Sequence, residues 1–134
     1  LMEKGLRPIS QDHLHVLDDV AYHEYGVPAT PEECDALGRT VANGGMCVVL
    51  NNHGLLTAGQ TVQGAFMRLY MLERACELEL ISRQLGEEPV IVSEYVQGKA
   101  AERMRRVRPT EAYGLAEFNG LVRTVERKGF DWRR

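Results

Sequence analysis

The sequence predicts a single layered α/β domain, and three features in its middle carry that prediction. Residues 46–50 form a continuous apolar run rich in β-branched side chains, which is typical of a buried strand. Asn51–Gly54 has turn chemistry, because Asn and Gly tolerate positive φ, and a second strand is predicted over 55–58. A long helix follows from Thr61 to about Leu85. Strands and helices mixed in this way indicate helices packed on one sheet, in an α/β or α+β arrangement.

Size, charge and cysteine content exclude several classes of protein. The 134 residues are enough for one domain with a real core, and the net charge of −3 gives no reason to expect nucleic acid or an anionic membrane as a partner. No apolar run reaches the length of a membrane span. Three cysteines without a close pair predict reduced thiols in a cytoplasmic setting: Cys34, Cys47 and Cys76.

One further strand is predicted before the hairpin, over Val20–Tyr25. Its alternation places Tyr22 and His23 on opposite faces. The short stretch 11–18 before it is expected to begin at polar residues that include Ser10.

Helices are predicted on both sides of the hairpin. Thr30, followed by proline and two glutamates, is typical of a helix start, and the helix should cover 31–42. The helix at 61–85 has apolar residues at i, i+3 and i+4 and more of them outside that stripe, so one side should face the sheet and the other a neighbouring subunit. After it we expect a possible edge strand at 89–92 and helices over 93–107 and 109–128.

The hairpin and the long helix resemble the C-terminal half of the class II aldolase/adducin family. The resemblance covers most of residues 5–132 and rests on these segments: Asn52–Leu56, Gly59, Thr61-Val62, Ala65-Phe66 and Leu72-Glu73, with Pro8–Gln11 and Val20–Tyr25 upstream. It is specific for the family and not for one activity.

The resemblance implies a three-layer αβα sandwich that assembles as a ring-like tetramer. The chain would be the C-terminal part of such a domain, a β-hairpin with flanking helices. The family's opening helices and first strands have no counterpart here. We therefore expect residues 1–134 to be one domain that is truncated at its N-terminus.

His53, at the tip of the hairpin, is the candidate metal ligand. A hairpin tip is a rigid place for an imidazole, and a divalent metal needs neutral imidazoles at fixed positions. By resemblance, this histidine completes a ligand set with a His-x-His pair further upstream, and we expect Zn2+ as the ion. On the motif alone, a turn histidine bonded to the backbone is an equal alternative.

His13 and His15 are a weaker candidate pair. Two histidines at i and i+2 on a strand share a face, which suits a metal. Their surroundings, however, match the segment that follows the family's pair. The more favoured interpretation is two polar residues in a short surface stretch.

No catalytic acid or base can be named from the sequence. Tyr22 could donate a proton, but a packed strand tyrosine is the favoured interpretation. Glu73 lies among apolar neighbours of the long helix, so it was expected to be buried, supporting His53 or pairing with a basic residue at an interface.

The resemblance implies a metal-dependent lyase of carbohydrate metabolism. It would cleave a small hydroxylated keto substrate, possibly a sugar phosphate, through a metal-stabilised enediolate. Epimerases, dehydratases and decarboxylases share the scaffold, and the chain alone is expected to be inactive. The alternative is a non-catalytic, adducin-like binding or oligomerisation module.

Overall fold

The computed structural model describes residues 5–130, which form five α-helices, a 3-10 turn and three strands. In chain order these elements are α1 Gln11–Leu14, the 3-10 turn Leu17–Asp19, β1 Val20–His23, α2 Pro31–Ala42, β2 Cys47–Leu50, β3 Gly54–Thr57, α3 Val62–Gln84, α4 Glu94–Val107 and α5 Leu115–Arg127.

The three strands form one mixed sheet in the order β1-β2-β3. β1 and β2 run parallel, with Val20 opposite Cys47 and His23 opposite Leu50. β2 and β3 are antiparallel, with Leu50 opposite Gly54, which is the predicted hairpin. The parallel pair needs a crossover connection, and α2 supplies it. This connection places the end of β1 beside the tip of the hairpin.

Helices cover both faces of the sheet, so the α/β prediction of a three-layer arrangement is confirmed. The core lies on the α3 side, where Cys47 and Val49 pack with Leu72 and Ala75 of α3. His23 points the other way and contacts α2. Alternation along the strands separates the two faces.

The long helix α3 is held at its start by side-chain hydrogen bonds. The hydroxyl of Thr61 accepts from the Gly64 N–H at 3.1 Å, which is an N-cap bond. Thr57 at the end of β3 donates to the Ala65 carbonyl at 2.9 Å and so ties the hairpin to the helix. Apolar residues lie on both sides of α3, as predicted, and its outer side exposes Leu69, Tyr70, Leu80 and Ile81.

The edge strand suggested at 89–92 does not form. The N–H of Val92 donates to the carbonyl of Pro8 at 2.9 Å. Proline has no N–H to return a bond, so a ladder cannot continue at this point.

The helix predicted over 109–128 begins later than expected, at Leu115. Gly114 has φ +74, and a Cβ at this position would lie 2.6 Å from the carbonyl oxygen of Gln63. Only glycine fits this close approach, and the residues before it form turns. The rings of Phe66 and Phe118, 5.5 Å apart, hold α5 against α3. Within residues 5–130, no helix combines the length and the apolar character that crossing a membrane requires.

Candidate functional site

His53 is the last residue of the tight turn that joins β2 to β3. Asn52 adopts a left-handed conformation with φ +59, which Asn tolerates better than most residues. The backbone N–H of His53 donates to the Leu50 carbonyl at 3.0 Å, and that of Asn51 donates to the His23 carbonyl at 2.9 Å. These bonds fix the turn against two strands, so the backbone that carries His53 is well defined.

The imidazole of His53 is exposed and stands edge-on to Tyr25. The two ring centroids are 6.3 Å apart with an interplanar angle of 81°. Within residues 5–130, nothing forms a hydrogen bond with this ring, so neither ring nitrogen has a partner there.

A cavity of about 160 Å³ lies beside His53, between the end of β1 and α2. Its walls include Tyr25 and the exposed Cys34, together with a closed pair formed by His23 and Glu33. The Nε2 atom of His23 lies 3.1 Å from Glu33 Oε1, and its Nδ1 lies 3.1 Å from the Thr40 hydroxyl. Because both nitrogens of His23 are occupied, this buried histidine positions α2 against the sheet.

The described residues do not by themselves form a metal centre. In residues 5–130 there is no group of three His, Cys, Asp or Glu side chains close enough to hold an ion. A structural or catalytic zinc needs at least three protein ligands. A metal centre at His53 would therefore need further ligands from outside residues 5–130.

His13 is a fully buried residue, so its interpretation as part of a surface stretch was wrong. It lies in α1 and not on a strand. Its Nδ1 is 2.8 Å from the Ser10 hydroxyl, and its Nε2 is 3.6 Å from Glu79 Oε2. Burial lowers the pKa of His13, and the nearby Glu79 only partly offsets this effect. The ring is therefore neutral at pH 7 and part of the core.

His15 is half-buried two residues further on, and burial lowers its pKa as well. Its carbonyl accepts a hydrogen bond from Arg108 at the end of α4. The guanidinium of Arg108 also binds Asp18 at 2.6 Å. These contacts fasten α4 to the segment that precedes β1, so His15 lies in a structural junction.

Glu79 is the buried carboxylate of α3, and sequence reasoning missed it. Its Oε1 accepts from Arg7 Nε at 2.7 Å and from Arg83 Nε at 2.8 Å, and its Oε2 accepts from the backbone N–H of Arg7 at 3.2 Å. Burial alone would raise its pKa, but these hydrogen bonds lower it. Its spacing of seven residues from Leu72 indicated the buried side of the helix.

Glu73 and Tyr22 are both exposed side chains. Glu73 is exposed, contrary to the expectation of burial, because its position on α3 faces away from the core formed by Leu72. Tyr22 lies at the surface of β1, where its hydroxyl accepts from the Leu6 N–H at 2.7 Å. Burial of part of the ring raises its pKa.

Comparison with known proteins decides the family. The family model described as "Class II Aldolase and Adducin N-terminal domain" matches residues 1–80, more than half of the chain. The chain belongs to the class II aldolase and adducin family. A crystal structure of an aldolase II superfamily protein from Pseudomonas syringae has a TM-score of 0.87 and 32% identity, covering 99% of this chain and 53% of that one. The αβα fold of the family is therefore present.

Curated members of the class II aldolase and adducin family include both types of protein that give it its name. A "Putative aldolase class 2 protein" of Pseudomonas aeruginosa is 29% identical over 98% of this chain and 52% of its own length. A protein of the same description from Caulobacter vibrioides is 34% identical, over 90% of this chain and 44% of its own length. Mouse gamma-adducin is 29% identical, over 96% of this chain and 20% of its own length. The chain thus spans about half the length of these aldolase relatives or less.

The family generally uses a divalent metal, binds small-molecule substrates and is oligomeric. His53 falls inside the matched residues 1–80. Among the described histidines, it is the one whose ring is both exposed and free of hydrogen bonds. His23 and His13 are buried, and His15 is half-buried.

Proposed function

We propose that this chain is part of a metal-dependent, class II aldolase-like enzyme that acts on a small hydroxylated keto compound. The observation that carries the proposal is the free imidazole of His53 on a turn that two strands hold in place. The other three histidines are buried or half-buried, and this one is exposed. The reaction class is cleavage of a carbon–carbon bond next to a carbonyl.

The described residues hold one candidate metal ligand in position and do not form a complete reaction centre. A divalent metal would provide Lewis-acid chemistry to the substrate carbonyl when bound. His53 is one ligand, and its orientation depends on Asn51 and Asn52 in the turn. We assign no proton transfer to a described residue. The proposal requires further ligands from outside residues 5–130, on this chain or on another one.

Metal content per chain tests the proposal. We expect about one divalent ion per chain by elemental analysis of protein that includes the further ligands, and its loss in His53→Ala. His15→Ala is the matched control, because it removes an imidazole that lies elsewhere in the fold, and it should keep the ion. Absence of metal from that protein, or equal loss in both variants, contradicts the assignment of His53.

An adducin-like module without catalysis is the second candidate. Mouse gamma-adducin matches this chain at the same identity as the Pseudomonas aeruginosa aldolase relative, 29% in each case. The exposed apolar residues along the outer side of α3 also favour assembly. This candidate predicts self-association, measured by sedimentation, in chain that contains no metal. Dissociation on removal of a bound ion would count against it.

A further inference from the structure

We propose that a second cavity, on the α3 side of the His53 turn, binds a small uncharged polyhydroxylated compound and discriminates against its phosphate ester. The inference rests on the proposed function and names the substrate class for it. The cavity has a volume of about 260 Å³. Asn51 and Gly54, on either side of the turn tip, line its wall, so a molecule bound there lies next to the candidate metal ligand.

The walls of this cavity are mainly apolar and come from four parts of the fold. The apolar lining residues are Val49 of β2, Leu55 of β3, Leu80 of α3 and Leu6 of the segment before α1. Such surfaces bury the carbon skeleton of a ligand, while a few polar groups determine its orientation. The volume suits a molecule of a few carbon atoms.

Two polar side chains at this cavity are without partners in residues 5–130. Neither the carboxylate of Glu73 nor the carboxamide of Asn51 forms a side-chain hydrogen bond there. Tyr22 adds a hydroxyl that already accepts from Leu6 N–H and can still donate its own proton. Acceptors and donors spaced over an apolar wall match the alternating hydroxyl groups of a polyol.

Charge decides which hydroxylated compounds fit. Glu73 is the one charged side chain that lines the cavity, and no Lys, Arg or His is among the described lining residues. The nearby Arg83 is already bound to Glu79 at 2.8 Å and to the Gly5 carbonyl at 3.0 Å. Among residues 5–130, a phosphate group in this cavity would therefore meet a carboxylate and no compensating cation.

The thiol of Cys76 also faces this cavity and stays neutral. Burial raises its pKa, and the negative charge of Glu73 raises it further. A protonated thiol presents no charge to a ligand and is a poor nucleophile at pH 7. Cys76 is therefore a neutral part of the cavity wall and not a nucleophile.

Amide NMR of the 15N-labelled full chain tests the proposal with a matched pair of probes, erythrulose and erythrulose 4-phosphate. Erythrulose should shift the backbone amides of Asn51, Gly54, Leu55 and Leu80. The phosphate should bind about tenfold more weakly, which corresponds to about 1.4 kcal/mol of repulsion in a partly solvated site. Equal or tighter binding of the phosphate, or no shift at these amides with erythrulose, overturns the proposal.

Glu73→Gln identifies the source of the discrimination, with Glu77→Gln as its control. Glu77 lies one turn further along α3, outside the cavity, and pairs with Arg74 at 2.6 Å. The Glu73 variant should bind the two probes about equally, whereas the Glu77 variant should keep the preference of about tenfold. If both variants behave alike, Glu73 does not set the charge of the site.

Leu80→Trp and His53→Ala complete the design. The tryptophan should fill the cavity and abolish the shifts, and retained shifts would place the binding elsewhere. His53→Ala should keep the shifts, because its ring lies outside this cavity. If protein that includes the further ligands contains no metal but erythrulose still binds as described, the proposed enzyme fails and the binding site stands.

Discussion

His13 and His53 belong to the same chain and yet have opposite roles. His13 is fully buried, with one nitrogen beside Ser10 and the other near Glu79. His53 is exposed at a hairpin tip, and its ring has only an edge-on contact with Tyr25. The first is part of a polar network inside the protein. The second is available to another molecule.

The contrast teaches that sequence spacing alone does not identify a metal ligand. His13 and His15 have the i, i+2 spacing that suits a metal on a strand, but they lie in and just after a helix. A ligand must have a nitrogen that a metal can reach, and complete burial of the ring removes that possibility from His13. The isolated His53 satisfies the requirement because its turn leaves the ring outside.

Among the substitutions that compare the surroundings of His13 with the His53 turn, removal of Glu79 should have the largest effect on stability. Glu79→Ala would leave Arg7 and Arg83 without their shared carboxylate next to the buried His13. We expect a loss of about 3 kcal/mol in the free energy of unfolding, because one partner of a buried ionic network is deleted. Urea denaturation measures it. Glu77→Ala, which removes an exposed ion pair, should cost less than about 1 kcal/mol.

The buried histidine should make the protein less stable in acid. The folded-state pKa of His13 is lowered below the usual 6.5, so the unfolded chain takes up a proton first. The contribution of His13 to the free energy of unfolding is fully present above pH 6.5, and it is lost as the pH falls through the lowered pKa. The lowered pKa of His15 acts in the same direction.

His13→Gln should therefore flatten the dependence of unfolding free energy on pH between about pH 7 and 5. The double variant that also carries His15→Gln should flatten it further. Thr124→Ala, a surface change on α5 without a titrating group, is the control and should keep the native slope. An unchanged slope in the double variant would show that these rings do not govern acid sensitivity.

The turn that presents His53 should respond to backbone conformation. Asn52 has φ +59, which costs alanine about 1 kcal/mol and glycine very little. Asn52→Ala should therefore lower the unfolding free energy by about that amount, while Asn52→Gly stays near the native value. Thermal unfolding compares the two, and a larger loss for glycine would argue against the left-handed turn.

His53→Ala should have the smallest effect on stability, within about 0.5 kcal/mol. Its exposed ring has no hydrogen bond to lose in the described structure. His13→Ala is the matched comparison and should cost about 2 kcal/mol or more, because it empties a buried site and unpairs Ser10. Similar losses in the two variants would remove the contrast between the histidines.

Local sequence signals predicted most of the fold. The cap at Thr61 and the apolar spacing placed the long helix within one residue of its observed span, Val62–Gln84. Thr30 and Pro31 predicted the start of α2, whose observed span is Pro31–Ala42. The errors came from contacts between distant residues. The proximity of Gly114 to Gln63 delays α5, and this contact has no local signature.

The candidate site was predicted only in part. The turn chemistry around His53 was visible in the sequence, but the burial of His13 depends on Glu79, sixty-six residues away along the chain. Glu73 and Glu79 lie on one helix among similar apolar neighbours, and the prediction that Glu73 is buried was wrong. The helical period distinguishes the two, since Glu79 follows Leu72 by two turns.

The exposure of Cys34 gives the protein a built-in attachment point for a reporter group. Burial raises the pKa of Cys47 to about 12, and it also raises that of the half-buried Cys76. A maleimide dye at neutral pH should therefore label Cys34 selectively, without any cysteine being removed. Because Cys34 shares a cavity with His53, fluorescence quenching by Cu2+ or Co2+ would report an ion arriving at the hairpin tip in the unaltered sequence.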